Sequence, residues 1–135
     1  MRLWHYKLIP VLPDKMLISQ WRECIAIKRQ WEKGTLKHRL VSYVMKYEKA
    51  LLYYYTNKVA LEMKYRNIKY QEKYLQEFDD FAQGCYTNSL YPEHNNRYLK
   101  QCYYNLQEKA DRGIVTKEEW KFIHKNICGL IEEEK

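Results

Sequence analysis

Few groups in this sequence could do chemistry without a metal, and two of them fall within its first 23 residues. Met1 is expected to keep its α-amine, because Arg2 is too bulky a neighbour for removal of the initiator methionine. An α-amine ordinarily titrates near about 7.7–8, against about 10.4 for a lysine side chain, so a useful fraction is an unprotonated nucleophile at neutral pH. Glu23 follows Arg22 in the run Trp21-Arg22-Glu23. A carboxylate there can carry a proton or steady a developing positive charge, and its ordinary alternative is a surface ion pair. His5, His38, His94 and His124 show no HxxxH spacing, and Cys24, Cys85, Cys102 and Cys128 form no CxxC pair. That pattern predicts surface imidazoles and reduced thiols, with no metal, no cofactor and no disulfide framework. GxxxxGK[ST], GxSxG and GxGxxG are absent, so nucleotide hydrolysis and the common serine hydrolase chemistry have no motif to stand on.

The elements that must position these groups read as helices. Pro13-Asp14 is a helix start, since an Asp side chain accepts from the free amides of the first turn. Leu17, Trp21, Cys24, Ile25 and Trp31 then recur on one face, and Gly34 is a fitting stop. Residues 35–43 form a basic connector. A second helix is expected from about Tyr43 to Arg66, with Val44, Tyr47, Leu51, Leu52, Tyr55, Val59 and Met63 as its apolar stripe. A third covers about 71–82, ending near Gly84, and a loop follows from Cys85 to Tyr91. Pro92 opens a fourth, about 93–111, with Tyr98, Cys102 and Leu106 inward and Gly113 at its end. Thr116 and Glu119 make a capping box, which starts a last helix carrying Trp120, Ile123, Ile127 and Leu130 inward.

No alternating strand pattern persists for more than a few residues. The fold class is therefore all-α, a single compact domain of about four to five helices over residues 1–135. That length suits one domain, and 46% hydrophobic residues with only 4 Gly and 3 Pro exclude wholesale disorder and strand-and-turn architectures. No apolar run approaches the roughly 20 residues of a membrane span, and the opening Met-Arg-Leu-Trp-His-Tyr-Lys lacks the apolar core of a secretion signal. A cytoplasmic, membrane-free, monomeric protein is expected.

Charge is unevenly spread. Residues 1–74 hold 16 Lys and Arg against 6 Asp and Glu, while residues 75–135 hold 8 against 11. Cations and rings interleave through Trp21, Arg22, Lys28, Arg29, Trp31, Lys33, Lys37, His38, Arg39 and Tyr43. A basic half of this kind is the electrostatic outline of a phosphate-backbone binder. By the same reasoning Lys125 and Lys135, in the acidic half, contribute little.

The opening Met-Arg-Leu-Trp, the pair Leu12 and Leu17, and Gln-Trp-Arg-Glu at 20–23 together resemble the phage endonuclease V family of pyrimidine-dimer DNA glycosylases. The likeness continues through the connector around Gly34 and Lys64-Tyr-Arg66-Asn, and resumes at Tyr91-Pro92-Glu-His94 and Asn105-Leu-Gln-Glu-Lys109. The resemblance implies a small, basic, all-α glycosylase with abasic-site lyase activity, acting on double-stranded DNA that carries damaged or abasic sites. It implies that the Met1 amine attacks the sugar C1′ and that Glu23 is the essential acid–base group. Arg2 and Arg22 match phosphate-holding positions, as does Lys109, whereas Asn105 stands where the family has an arginine. Two other readings of the same residues remain: a non-catalytic helical DNA- or RNA-binding protein, and a Tyr-rich module that meets another protein.

Overall fold

The computed structural model describes residues 1–132, and within them are five α-helices, two 3-10 helices and no strand. The α-helices are α1 (Asp14–Glu32), α2 (Lys49–Tyr65), α3 (Lys73–Phe81), α4 (Asn96–Asp111) and α5 (Lys117–Glu132). The 3-10 helices span Tyr6–Val11 and Ser42–Lys46. The fold is all-α, as the hydrophobic periodicity implies. No described helix is long and apolar enough to cross a membrane.

The chain divides into two compact units. One is built from Met1–Leu3 with Leu17–Tyr91, the other from Trp4–Met16 with the chain from Pro92 onward. In the first, α2 packs on α3 and on the 3-10 helix Ser42–Lys46. Its core holds Leu17, Trp21, Cys24 and Ile27 of α1, Leu52, Tyr55, Val59 and Met63 of α2, and Phe78 and Phe81 of α3. In the second unit, α5 receives both α4 and the 3-10 helix Tyr6–Val11, over a core of Leu8, Leu99, Cys102, Leu106, Ile123 and Ile127. Full burial of each Leu, Ile, Val, Met or Phe among them is worth about 1.5–3 kcal/mol.

Helix ends follow local chemistry closely. At the start of α5 the Thr116 Oγ1 accepts from the Glu119 amide at 3.1 Å, while Glu119 Oε1 accepts from the Thr116 amide at 2.8 Å, so the capping box is formed. Helix α1 ends with Gly34 at φ 70°, the Thr35 amide donating to the Gln30 carbonyl at 2.9 Å and the Gly34 amide to the Trp31 carbonyl at 3.0 Å. Helix α2 ends the same way on Asn67 at φ 61°, with the Ile68 amide donating to the Met63 carbonyl at 2.8 Å.

Two boundaries differ from the sequence expectation. Helix α2 begins at Lys49 and not near Tyr43, because Ser42–Lys46 winds as a 3-10 helix and Tyr47 is extended, at φ −124° and ψ 172°. The break lets Tyr43 and Tyr47 both pack on the Tyr91 ring, at centroid distances of 5.3 and 5.6 Å. Such ring pairs contribute about 0.5–1.5 kcal/mol each. Helix α4 begins at Asn96 and not at 93, since Asn95 is extended and its side chain accepts from the Tyr98 amide at 3.0 Å. The 3-10 helix Tyr6–Val11, with Pro10 inside it, has no counterpart in the sequence reading.

His5 and His94 are also not the surface imidazoles expected. Both are buried in the second unit with ring centroids 5.6 Å apart, and His5 Nδ1 accepts from the Lys7 amide to cap the 3-10 helix. Burial lowers the His5 pKa from 6.5 to about 4; the Lys7 charge adds to this, and hydrogen bonds with the backbone of His94 and Asn95 oppose it. Burial, then the neighbouring His5, lowers that of His94 to about 3. Below pH 6.5 the unfolded chain therefore binds protons that the folded one refuses. The stability is full above about pH 6.5 and is lost as the pH falls toward 4. The loss should reach on the order of 2–3 kcal/mol per ring by pH 4.5. Thermal melts between pH 7.5 and 4.5 should show a falling midpoint, and His94→Gln should flatten that slope; an unchanged slope would contradict it.

Candidate active site

A single carboxamide organises the start of the chain. Gln20 lies on the inward face of α1 and is fully buried, with a relative exposure of 0%. Its Nε2 donates to the Arg2 carbonyl oxygen at 2.8 Å and to Glu23 Oε2 at 3.1 Å. Its Oε1 accepts from the Tyr55 hydroxyl of α2 at 3.0 Å. The amide orientation is thereby determined, since a flipped amide would face its oxygen toward two acceptors. The nitrogen uses one hydrogen on the chain one residue after Met1 and the other on the acid.

Met1, Arg2 and Glu23 are each half-buried, and Leu3 is fully buried in the same unit. The Arg2 carbonyl, one residue after Met1, and the Glu23 carboxylate therefore share one donor, the Gln20 amide. Sequence reasoning misses Gln20 and Tyr55. A signal exists for Gln20: it is a polar residue in the apolar register Leu17, Gln20, Cys24, Ile27, and a buried amide in such a stripe must be hydrogen-bonded.

The basic residues divide by exposure. Arg22, Arg29 and Lys33 are exposed and recur at intervals of seven and four on the outer face of α1 and the turn after it. With Lys69 they line a groove of about 600 Å³ that Trp21, Tyr70 and Tyr74 wall with rings. The Arg29 guanidinium lies 5.4 Å from the Tyr74 ring centroid, and the Trp21 and Tyr70 centroids are 5.0 Å apart. Lys37, His38 and Arg39 are exposed in the connector after α1, where His38 Nδ1 accepts from the Leu40 amide at 3.3 Å. Lys109 is half-buried in the last turn of α4, in the second unit, and the Asn105 side chain donates to the Gln101 carbonyl at 2.9 Å.

Lys28 departs from the expectation of a phosphate contact. It is 4% exposed, its Nζ bonds Glu32 Oε1 at 2.8 Å, and it lies 5.8 Å from the Phe78 ring centroid. Its position on α1 turns inward with Cys24 and Ile27, so the ammonium serves a local ion pair. Lys135 lies outside the described residues. Among the described residues no group of three or more His, Cys, Asp or Glu side chains is arranged to hold a metal ion.

A family model described as pyrimidine dimer DNA glycosylase matches residues 1–76, more than half of the 135-residue chain. The match contains Met1, Arg2, Gln20, Glu23, Tyr55 and the whole basic groove. No curated protein and no solved structure matches the chain.

Cys24, the thiol next to Glu23, is unsuited to nucleophilic work. Burial pushes its pKa up to about 12, with the Glu23 charge adding to the rise and a hydrogen bond with Thr56 opposing it. Cys102 is buried as well, whereas Cys85 is exposed. An alkylating reagent at pH 8 should modify Cys85 readily in the folded protein and reach Cys24 and Cys102 only on unfolding. Peptide mapping after timed alkylation reads this directly, and fast labelling of Cys24 would contradict its placement.

Proposed function

The chain belongs to the pyrimidine dimer DNA glycosylase family, and from that premise we propose that it excises damaged pyrimidines from double-stranded DNA and then breaks the strand at the abasic sugar. The Met1 amine is the nucleophile and Glu23 the acid–base group. The lone pair of the amine forms a bond to C1′ as the glycosidic bond breaks, and the base leaves with the bonding pair. One proton of the attacking nitrogen passes by way of Glu23 to O4′ as the C1′–O4′ bond breaks, so the sugar ring opens to a 4′-hydroxyl and a protonated imine. The Glu23 carboxylate then takes a C2′ proton, the freed electrons move toward the imine, and the 3′ phosphate is expelled. Carboxylate charge near C1′ also stabilises the oxocarbenium character that develops as the base departs.

The observation that carries this reading is the bridge from Gln20 Nε2 to the Arg2 carbonyl and to Glu23 Oε2. Of the many carboxylates in the chain, it is Glu23 that shares a donor with the backbone next to Met1. The groove of Arg22, Arg29, Lys33 and Lys69 lies in the same unit and supplies the cations and rings that a distorted DNA backbone requires. Arg2, Lys37, His38, Arg39 and Lys109 complete the proposed phosphate contacts. Reaching C1′ inside a duplex costs a few kcal/mol in lost stacking and pairing, least at a damaged step.

Borohydride in the presence of abasic DNA should trap a covalent adduct that maps to Met1. In Glu23→Gln, which preserves size and helix propensity, binding to abasic DNA and melting temperature should stay near wild type while single-turnover cleavage falls about 10²–10⁴-fold. An adduct on a lysine, or unimpaired cleavage by the variant, would remove these roles and leave a non-catalytic DNA-binding protein as the reading.

Affinity tests the basic surface separately. Charge reversal at Arg22, Lys33 or Lys37 should weaken DNA binding and reduce its salt dependence, because each lost phosphate contact releases about one counterion fewer. Reversal of Lys125, exposed on α5, should change little. Titrations at two salt concentrations measure both, and equal losses from the two sets would count against this surface.

A further inference from the structure

Resting on that assignment of Met1 and Glu23, we propose that Gln20, held by Tyr55, is a positioning residue that sets the reach of the Met1 amine relative to the Glu23 carboxylate. The geometry leaves the amide little choice. Gln20 is fully buried, its oxygen faces the Tyr55 hydroxyl at 3.0 Å, and its nitrogen faces two oxygens at 2.8 and 3.1 Å. Rotation by half a turn would replace two attractive contacts with two oxygen–oxygen repulsions and leave Tyr55 donating to a nitrogen that cannot accept.

The reacting groups are constrained in two ways. Holding the Arg2 carbonyl fixes the backbone one residue after Met1, so the amine samples a small volume and not that of a frayed terminus. Donation to Oε2 fixes the Glu23 rotamer and directs proton transfer to the other oxygen, Oε1. A glutamate in place of Gln20 could still accept from Tyr55, but it would have no hydrogen for either partner and would set a second carboxylate against the first. A misplacement of about 1 Å at a reacting centre costs on the order of 10²-fold in rate. Tyr55 is 1% exposed on α2, a rigid anchor from outside the helix that carries the acid.

Three substitutions separate positioning from stability: Gln20→Met keeps length and apolar bulk, Gln20→Glu keeps only the acceptor, and Tyr55→Phe removes the hydrogen bond that anchors the amide to α2. In Gln20→Met the single-turnover rate on abasic DNA should fall by about 10²-fold with the affinity for that DNA near wild type. Gln20→Glu should lose at least as much, and Tyr55→Phe about tenfold. A second readout does not depend on activity. With the terminal amine reductively methylated with 13C-formaldehyde, its NMR titration should move on Glu23→Gln in the wild-type background and should not move in the Gln20→Met background. A folded Gln20→Met protein with wild-type rate, or with the coupling between amine and Glu23 intact, would overturn the proposal. If Gln20→Met fails to fold, Tyr55→Phe decides by the same two measurements. If the wild-type protein traps no imine, the glycosylase–lyase reading fails while the coupling measurement still decides whether Gln20 joins the two groups.

Discussion

A primary carboxamide removed from water must find hydrogen-bond partners within the protein, and leaving one of its groups unsatisfied costs roughly 1–3 kcal/mol. Gln20 meets that requirement with partners drawn from three parts of the chain, among them the backbone of Arg2, the side chain of Glu23 and the hydroxyl of Tyr55. That requirement fixes much of the arrangement at this end of the molecule. The terminal segment is tied to α1 by a hydrogen bond made at its second residue, the acid is held one turn along the same helix, and α2 supplies the support. Leu3, fully buried in the first unit, adds an apolar anchor to the polar one.

Helix α1 separates three tasks by angle. With 3.6 residues per turn, Leu17, Gln20, Cys24 and Ile27 face inward, Arg22 and Arg29 face outward in line with Lys33, and Glu23 falls at the edge between the two sets. An acid at that edge is half-buried, near enough to the interior to be bonded by a buried amide. Lys28 shows the same rule from the other side. Its charge type suits a phosphate, but its angular position places it among apolar neighbours, and Glu32 one turn later neutralises it.

The sequence was most legible where short-range chemistry decides. The capping box at Thr116 and Glu119, the stop at Gly34 and the apolar stripe from Leu51 to Met63 depend on residues a few turns apart at most, and the structure forms them as expected. It was least legible where partners are distant in the chain. The break between Ser42–Lys46 and α2 accompanies ring contacts with Tyr91, far along the chain, which no helical periodicity reveals. His5 and His94 are surface-like by type and by spacing, yet the second unit encloses both. The other end of α2 was legible: the expected stop at Arg66 is its C-cap, and Asn67 beyond it takes the left-handed conformation.

The candidate site falls between these cases. Met1 and Glu23 stand out by the type of group they carry, whereas the buried amide that bonds both the Arg2 backbone and Glu23, and its tie to Tyr55, 35 residues further along, do not. An amine nucleophile at a chain terminus has a physical weakness: it is reactive without special burial, yet the free end it sits on is the most mobile part of a chain. Burying the terminus would restrain it at the cost of access, while leaving it exposed would keep access at the cost of aim. A hydrogen bond to the backbone one residue past the amine avoids both losses, because it restrains the chain and does not use the nucleophilic nitrogen. In the proposed mechanism, drawing that bond from the same nitrogen that bonds Glu23 makes the distance between nucleophile and acid depend on one amide rather than on two independent side chains. On the proposed roles, the preorganisation is set where Gln20 of α1 meets Tyr55 of α2, before any substrate arrives.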